Sequence, residues 1–180
     1  MPNTNRDQTM YVQTGNPDTW SQATLTRPGE LGKAYDANDR AYQRVKLDSG
    51  VSASNTVGVV AANQLAFWKD RAQYIVTNDK RFALMNGVAN SFGNNVAGIF
   101  RSAVPSGYYC DILIRGRNIP VAAVAGVDGG ESVIADVTAD TASADSVAVG
   151  TAVTYQKLGV VRTNVADSIA YVDIDIPNIP

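Results

Sequence analysis

The chain has 180 residues, 45% of them hydrophobic, and a formal net charge of −2. That length holds one domain with a proper core, or a core plus an ordered arm, and the charge gives no global positive field to draw nucleic acid or an anionic membrane. There is no histidine and only one cysteine, Cys110, so Ser–His–Asp and Cys–His chemistry, an intrachain disulfide and a multi-cysteine metal cluster are all excluded.

Residues 1–28 are rich in Asn, Thr, Gln, Asp and Pro, with Tyr11, Trp20 and Leu25 among scattered apolar points and no period. Ordering such a segment costs on the order of 1–2 kcal/mol per residue in backbone entropy, which its own contacts cannot return. It reads as an extended N-terminal arm held by the domain's own sheet or by a neighbouring molecule. Residues 29–180 read as a single β-rich domain. Met1 is followed by polar residues and no apolar run approaches the length of a membrane span, so neither a signal peptide nor a transmembrane helix is expected.

Gly29 to Lys33 is a turn entering a strand, and 36–39 is a second turn. Positions 41–47 alternate, with Ala41, Gln43, Val45 and Leu47 against Tyr42, Arg44 and Lys46, which predicts an edge or half-exposed strand. A short buried strand is expected at 57–62. Phe67, Arg71, Tyr74 and Asn78 share helical spacing, but that face is not consistently apolar, and two strands, 65–69 and 73–77, flanking a tight charged turn fit better; 86–95 reads as loop with positive-φ sites at Gly87 and Gly93.

Residues 96–115 form the stretch around which the chain is organised. Two apolar runs flank Pro105, Ser106 and Gly107, which predicts a hairpin with a loop of about three to five residues. In the second run Tyr108, Cys110, Ile112 and Ile114 share one face, while Tyr109, Asp111, Leu113 and Arg115 share the other. Cys110 on the apolar face reads as a buried, inert thiol.

Gly116, Arg117 and Asn118 are expected to turn the chain into a strand at 119–125. Asp128-Gly129-Gly130 is a turn signal. Further strands are expected at 132–137, 147–149, 152–158, 160–163 and 169–176, with a small polar loop at 138–146. In the last strand Ala170, Val172, Ile174 and Ile176 oppose Tyr171, Asp173 and Asp175, the alternation of an antiparallel strand with one wet face. Short strands at this spacing, with no convincing helix, give an all-β fold: an antiparallel β-sandwich or barrel with the N-terminal arm appended.

Phe67-Trp68-Lys69-Asp70-Arg71, Tyr74-Ile75-Val76-Thr77, Asn86-Gly87-Val88, Ala97-Gly98-Ile99-Phe100 and the run from Ser106 to Gly116 together resemble the structural proteins of tailed bacteriophage heads. These include the small decoration or cement proteins that bind the outside of the major capsid lattice. The C-terminal order, with Val149-Gly150-Thr151-Ala152 before a last alternating strand, is also similar, so the resemblance covers about residues 29–176. It implies a non-enzymatic virion protein, made in the host cytoplasm and displayed on the capsid exterior. It also implies the major capsid protein as partner and a homo-oligomer, with a trimer favoured.

On that reading Tyr11, Trp20, Leu25 and Tyr35 are the expected contact residues, because aromatic and apolar side chains outside regular strands anchor interfaces. No catalytic, cofactor-binding or metal-ligating residue is expected. A glycan-binding β-sandwich on a virion, stacking surface glycans on Trp68 with Tyr74 or Tyr108 with Tyr109, is a second reading. A head-fibre base or minor tail protein is a third. An enzyme using Asp173 and Asp175 is a fourth, which a solvated strand face explains more simply.

Overall fold

Alternating apolar residues punctuated by Gly, Asn and Asp produce thirteen strands among the described residues, which are 20–21, 31–34, 39–48, 59–79, 82, 95–136, 143–151 and 156–176 of a computed structural model. In chain order they are β1 (Trp20–Ser21), β2 (Leu31–Ala34), β3 (Arg40–Leu47), β4 (Val59–Val60), β5 (Leu65–Asp70), β6 (Ile75–Thr77) and β7 (Val96–Phe100). Then follow β8 (Val104–Pro105), β9 (Tyr109–Ala122), β10 (Ser132–Ala135), β11 (Ala144–Val147), β12 (Gly159–Ala166) and β13 (Ile169–Asp175). The expected all-β architecture is the one the chain adopts, and its closed part is a barrel.

Five strands pair around a ring, β3 to β9 to β7 to β5 to β6 and back to β3. Every junction is antiparallel except β3–β6, where Lys46 and Leu47 run parallel to Ile75 and Val76. Closure gives the ring an interior, and each strand supplies it: Val45 and Leu47, Cys110 and Ile112, Phe100, Ala66 and Trp68, and Val76. The short β4–β8 pair adds Val60 and Val104 to the same core. In β7 the register against β5 passes from Gly98–Ala66 to Val96–Phe67, so Ala97 is an extra residue. Such a bulge resets the alternation and lets Val96 and Ile99 join Leu65 and Phe67 on the outer wall.

Strand β9 then leaves the barrel and begins a second layer. One edge carries β3, while the other carries in succession β1, β7 and β13. From β13 the sheet continues through β12 and β10 to β11. A parallel bridge between Ala123 and Ala144, with the Val124 N–H donating to the Ala144 carbonyl at 3.0 Å, brings β11 back to the end of β9. The second ring is thus closed at one point. Its interior holds Ile119, Val121, Leu158, Val161, Val172 and Ile174, packed onto Tyr42, Leu65, Phe67, Ile99 and Leu113 of the barrel's outer wall.

Two irregularities make one strand serve both layers. Pairing of β3 with β9 skips Ile114, and pairing of β13 with β9 skips residues 117–118, where Asn118 has φ 52°. Each changes the side-chain parity, and the two changes cancel, so Leu113, Ile119 and Val121 all face the second core while Arg115 and Arg117 between them turn outward.

Several expected elements are corrected. The 96–115 stretch is antiparallel, but Phe100 opposite Ile112 leaves 101–111 as the connection, far longer than a tight hairpin loop. The turn at Pro105 is diverted into β8, which pairs with β4. Strand β3 is neither an edge nor half-exposed: β9 lies on one side and β2 and β6 on the other, and Gln43 and Arg44 are buried. Gly116 to Asn118 bulges a continuous β9 instead of turning it. Of the buried strand expected at 57–62, Val59–Val60 is β4, 61–62 form no strand and 57–58 lie outside the described residues; β11 takes 144–146, expected as loop, together with 147, while 148–149, expected as strand, form none. Residues 156–158 form no strand, while 152–155 and most of 86–95 lie outside the described residues.

The two-strand reading of 65–77 holds, with Phe67 opposite Thr77 and a turn at 71–74. So does the alternation of β13, where Ala170, Val172 and Ile174 are buried and Tyr171 and Asp175 exposed.

Candidate partner surface

Among the expected contact residues only Trp20 falls within the described part of the chain. Its backbone lies in β1, with Trp20 opposite Cys110 and Ser21 opposite Tyr109. These two residues therefore sit on β9, beside the point where β7 pairing begins. Tyr11, Leu25 and Tyr35 lie outside the described residues.

Several side chains singled out in the sequence have structural roles. Cys110 is 2% exposed in the barrel core, and burial, reinforced by the neighbouring Asp111 carboxylate, pushes its thiol up to about 12. Arg44 and Asp111 form a buried ion pair at 3.4 Å on the barrel wall. Burial holds the Asp111 carboxyl above its ordinary range even though Arg44 opposes the shift. Trp68 is in the core and meets Tyr74 edge-on at 6.1 Å, while Lys46 lies 5.5 Å over the Tyr109 ring. The two aromatic pairs therefore serve packing and a cation–π contact. Among the described residues no three His, Cys, Asp or Glu side chains converge as a metal site, and no helix is long and apolar enough to cross a membrane.

Asp173 and Asp175 differ in their surroundings. Asp173 accepts from Arg162 Nε at 2.8 Å and from Nη2, and from the Asn118 N–H at 3.0 Å. The Arg162 hydrogen bonds hold its carboxyl below the usual carboxylate range, helped by the Asn118 N–H and by the charges of Arg162 and Arg117. Asp175, two residues on, is exposed.

Asp173 and Asp175 lie on one side of a groove of about 440 Å³ where β9, β12 and β13 meet. Arg115 and Arg117 from β9 and Lys157 before β12 line it together with Asp39, Asp173 and Asp175. The irregularities at Ile114 and at 117–118 leave both arginines exposed on the outer face. A second cleft of about 420 Å³ is lined by small side chains such as Ala61, Ala122, Ala125 and Ser143 and carries no charge. Counting charges along the chain dismisses Arg115 and Arg117 as too few to matter. The available signal is the Arg-Gly-Arg-Asn order, in which a bulge residue fixes where the arginines point.

No protein-family model matches the chain, and no curated protein matches it either.

Proposed function

We propose that this chain is a non-enzymatic decoration (cement) protein of a tailed-bacteriophage head, carried on the capsid exterior as a homo-oligomer and bound to the major capsid protein. The resemblance of residues 29–176 is its starting point. The observation that carries it is the pairing of Trp20 and Ser21 with Cys110 and Tyr109. That pairing attaches the polar N-terminal segment to the strand shared by both cores. A stiff double-ring body with such a segment rooted on it suits a protein that spreads load between capsomers. Modest contacts suffice, because several tethered copies multiply weak affinities.

Purified protein mixed with bare shells is expected to decorate them stoichiometrically and to raise their melting temperature. Protein left entirely in the supernatant, with unchanged shell melting, rejects the reading.

A further inference from the structure

We infer that the groove between β9, β12 and β13 is a docking site for a short extended segment of a partner protein that presents a carboxylate side chain. Charge complementarity is the first argument. Arg117 and Lys157 are exposed and form no ion pair among the described residues. Arg115 meets Asp39 only at 3.9 Å, with both side chains more than half exposed. Such a contact is largely screened by solvent and leaves the guanidinium available. Asp173, by contrast, is already held by Arg162 and the Asn118 N–H.

The groove therefore offers uncommitted cations, and Asp173 illustrates what its walls accept. Its carboxyl is lowered chiefly by the Arg162 hydrogen bonds, which Asp173 already uses, and Arg117 adds only its charge. An incoming Glu or Asp would therefore be held by Arg117, Lys157 and Arg115 themselves.

The class of partner follows from the carboxylates that remain. Asp39 and Asp175 line the groove between and beside the cations, so a continuous polyanion such as nucleic acid would lay phosphates against them. A peptide places one acidic side chain over Arg117 and Lys157 and turns its own N–H groups toward Asp175. Size agrees, since a groove of about 440 Å³ holds a few residues of chain and not a folded domain. The site is independent of the decoration reading, which would supply a surface loop of the shell protein as the natural occupant.

The test is a titration of the isotope-labelled full chain with the peptide Ala-Glu-Ala-Glu-Ala-Glu and its Gln counterpart, followed by amide chemical shifts. The acidic peptide is expected to move the amides of Arg115, Gly116, Arg117, Lys157 and Asp175, with an affinity that falls several-fold at about 0.5 M NaCl. Arg117→Gln with Lys157→Gln, both at exposed positions, is expected to stay folded with only a small drop in melting temperature, since Arg117 contributes least among the groups that hold Asp173, and to bind at least about tenfold more weakly. No shifts at millimolar peptide, equal binding of the Gln peptide, or shifts centred elsewhere overturn the inference. So does a single-stranded oligonucleotide that binds the groove more tightly than the peptide.

Bare shells separate this proposal from the functional one. If the wild type decorates shells and the double variant does not, the shell supplies the occupant. If the wild type fails on shells while the peptide result stands, the decoration reading falls and the groove survives.

Discussion

Gly98 is the sharpest test of the closed barrel. A Cβ there would lie 2.9 Å from Ile112 Cδ1 and 2.9 Å from the Leu113 carbonyl oxygen, with Ile112 Cβ at 3.1 Å. The Ile112 methyl can swing away. The carbonyl cannot, because Leu113 is paired to both Ile99 and Tyr42 and its strand is fixed on both edges.

Overpacking a site of this kind costs typically about 1–3 kcal/mol, and the loss of unfolded-state freedom on replacing glycine returns at most about 1 kcal/mol. Gly98→Ala should therefore destabilise by about 1–2 kcal/mol, which for a chain of this length is a fall of roughly 2–8 °C in melting temperature. Thermal melts followed by circular dichroism measure it. Ile112→Val in the same chain removes Cδ1 and should recover only part of the loss, since the carbonyl contact remains. A Gly98→Ala protein that melts at or above the wild-type temperature refutes the close approach of β7 and β9, and with it the ring.

Four further outcomes are expected. Cys110, buried with its thiol at about 12, should resist a thiol reagent at pH 8 in the folded protein and react fully once unfolded; rapid labelling of native protein contradicts its place in the core. The folded Asp173 carboxyl lies below its ordinary value, so its stabilisation is present above about pH 4 and lost as pH falls through the folded value. The melting-temperature gap between wild type and Asp173→Asn should accordingly close near the acid end of the titration, and a constant gap argues against the Arg162 pairing.

Arg44→Met alone removes the cation 3.4 Å from the buried Asp111 carboxylate and should cost about 3–5 kcal/mol, whereas Arg44→Met with Asp111→Leu, which removes both charges together, should recover much of that loss in urea melts. Asp111 is itself raised by burial, so its carboxylate works against folding most once pH passes the folded value; the double variant should lose that pH dependence. Finally, Gln43 is 1% exposed and its Oε1 has no hydrogen-bond partner among the described residues, so Gln43→Leu should stabilise by about 1 kcal/mol; a destabilised variant would show that the amide is satisfied.

Where local pattern and global fold agree, the sequence is readable. The β5–β6 pair and β13 follow period-two alternation bounded by turn residues, and both form as expected. Strand β3 defeats the same rule because closing a ring covers both of its edges and buries Gln43 and Arg44. A local window carries no sign of closure. Gly116 to Asn118 misleads for a different reason: glycine and a left-handed asparagine serve a turn and a bulge equally well, and only the partner strand β13 decides between them. The groove is legible in part, since Arg115 and Arg117 stand together in the chain, but Lys157 and Arg162 join them only through the pairing of β12 with β13 and of β13 with β9.

Ring closure also shapes how such a protein can hold a partner. Main-chain hydrogen bonding to a new strand needs a free edge, and the five barrel strands spend nearly all of theirs on each other. Among the described residues, the strands at the margins are short, two residues in β1 and four each in β2 and β11, so each offers only a few donors and acceptors there. Adhesion that depended on strand addition alone would be short and weak. Side-chain faces must then carry the specificity, and the β9–β12–β13 face is where bulges have exposed uncommitted charge. A partner that engages both that groove and the N-terminal segment gains from their linkage in one chain, since the second contact forms at the high effective concentration set by the first.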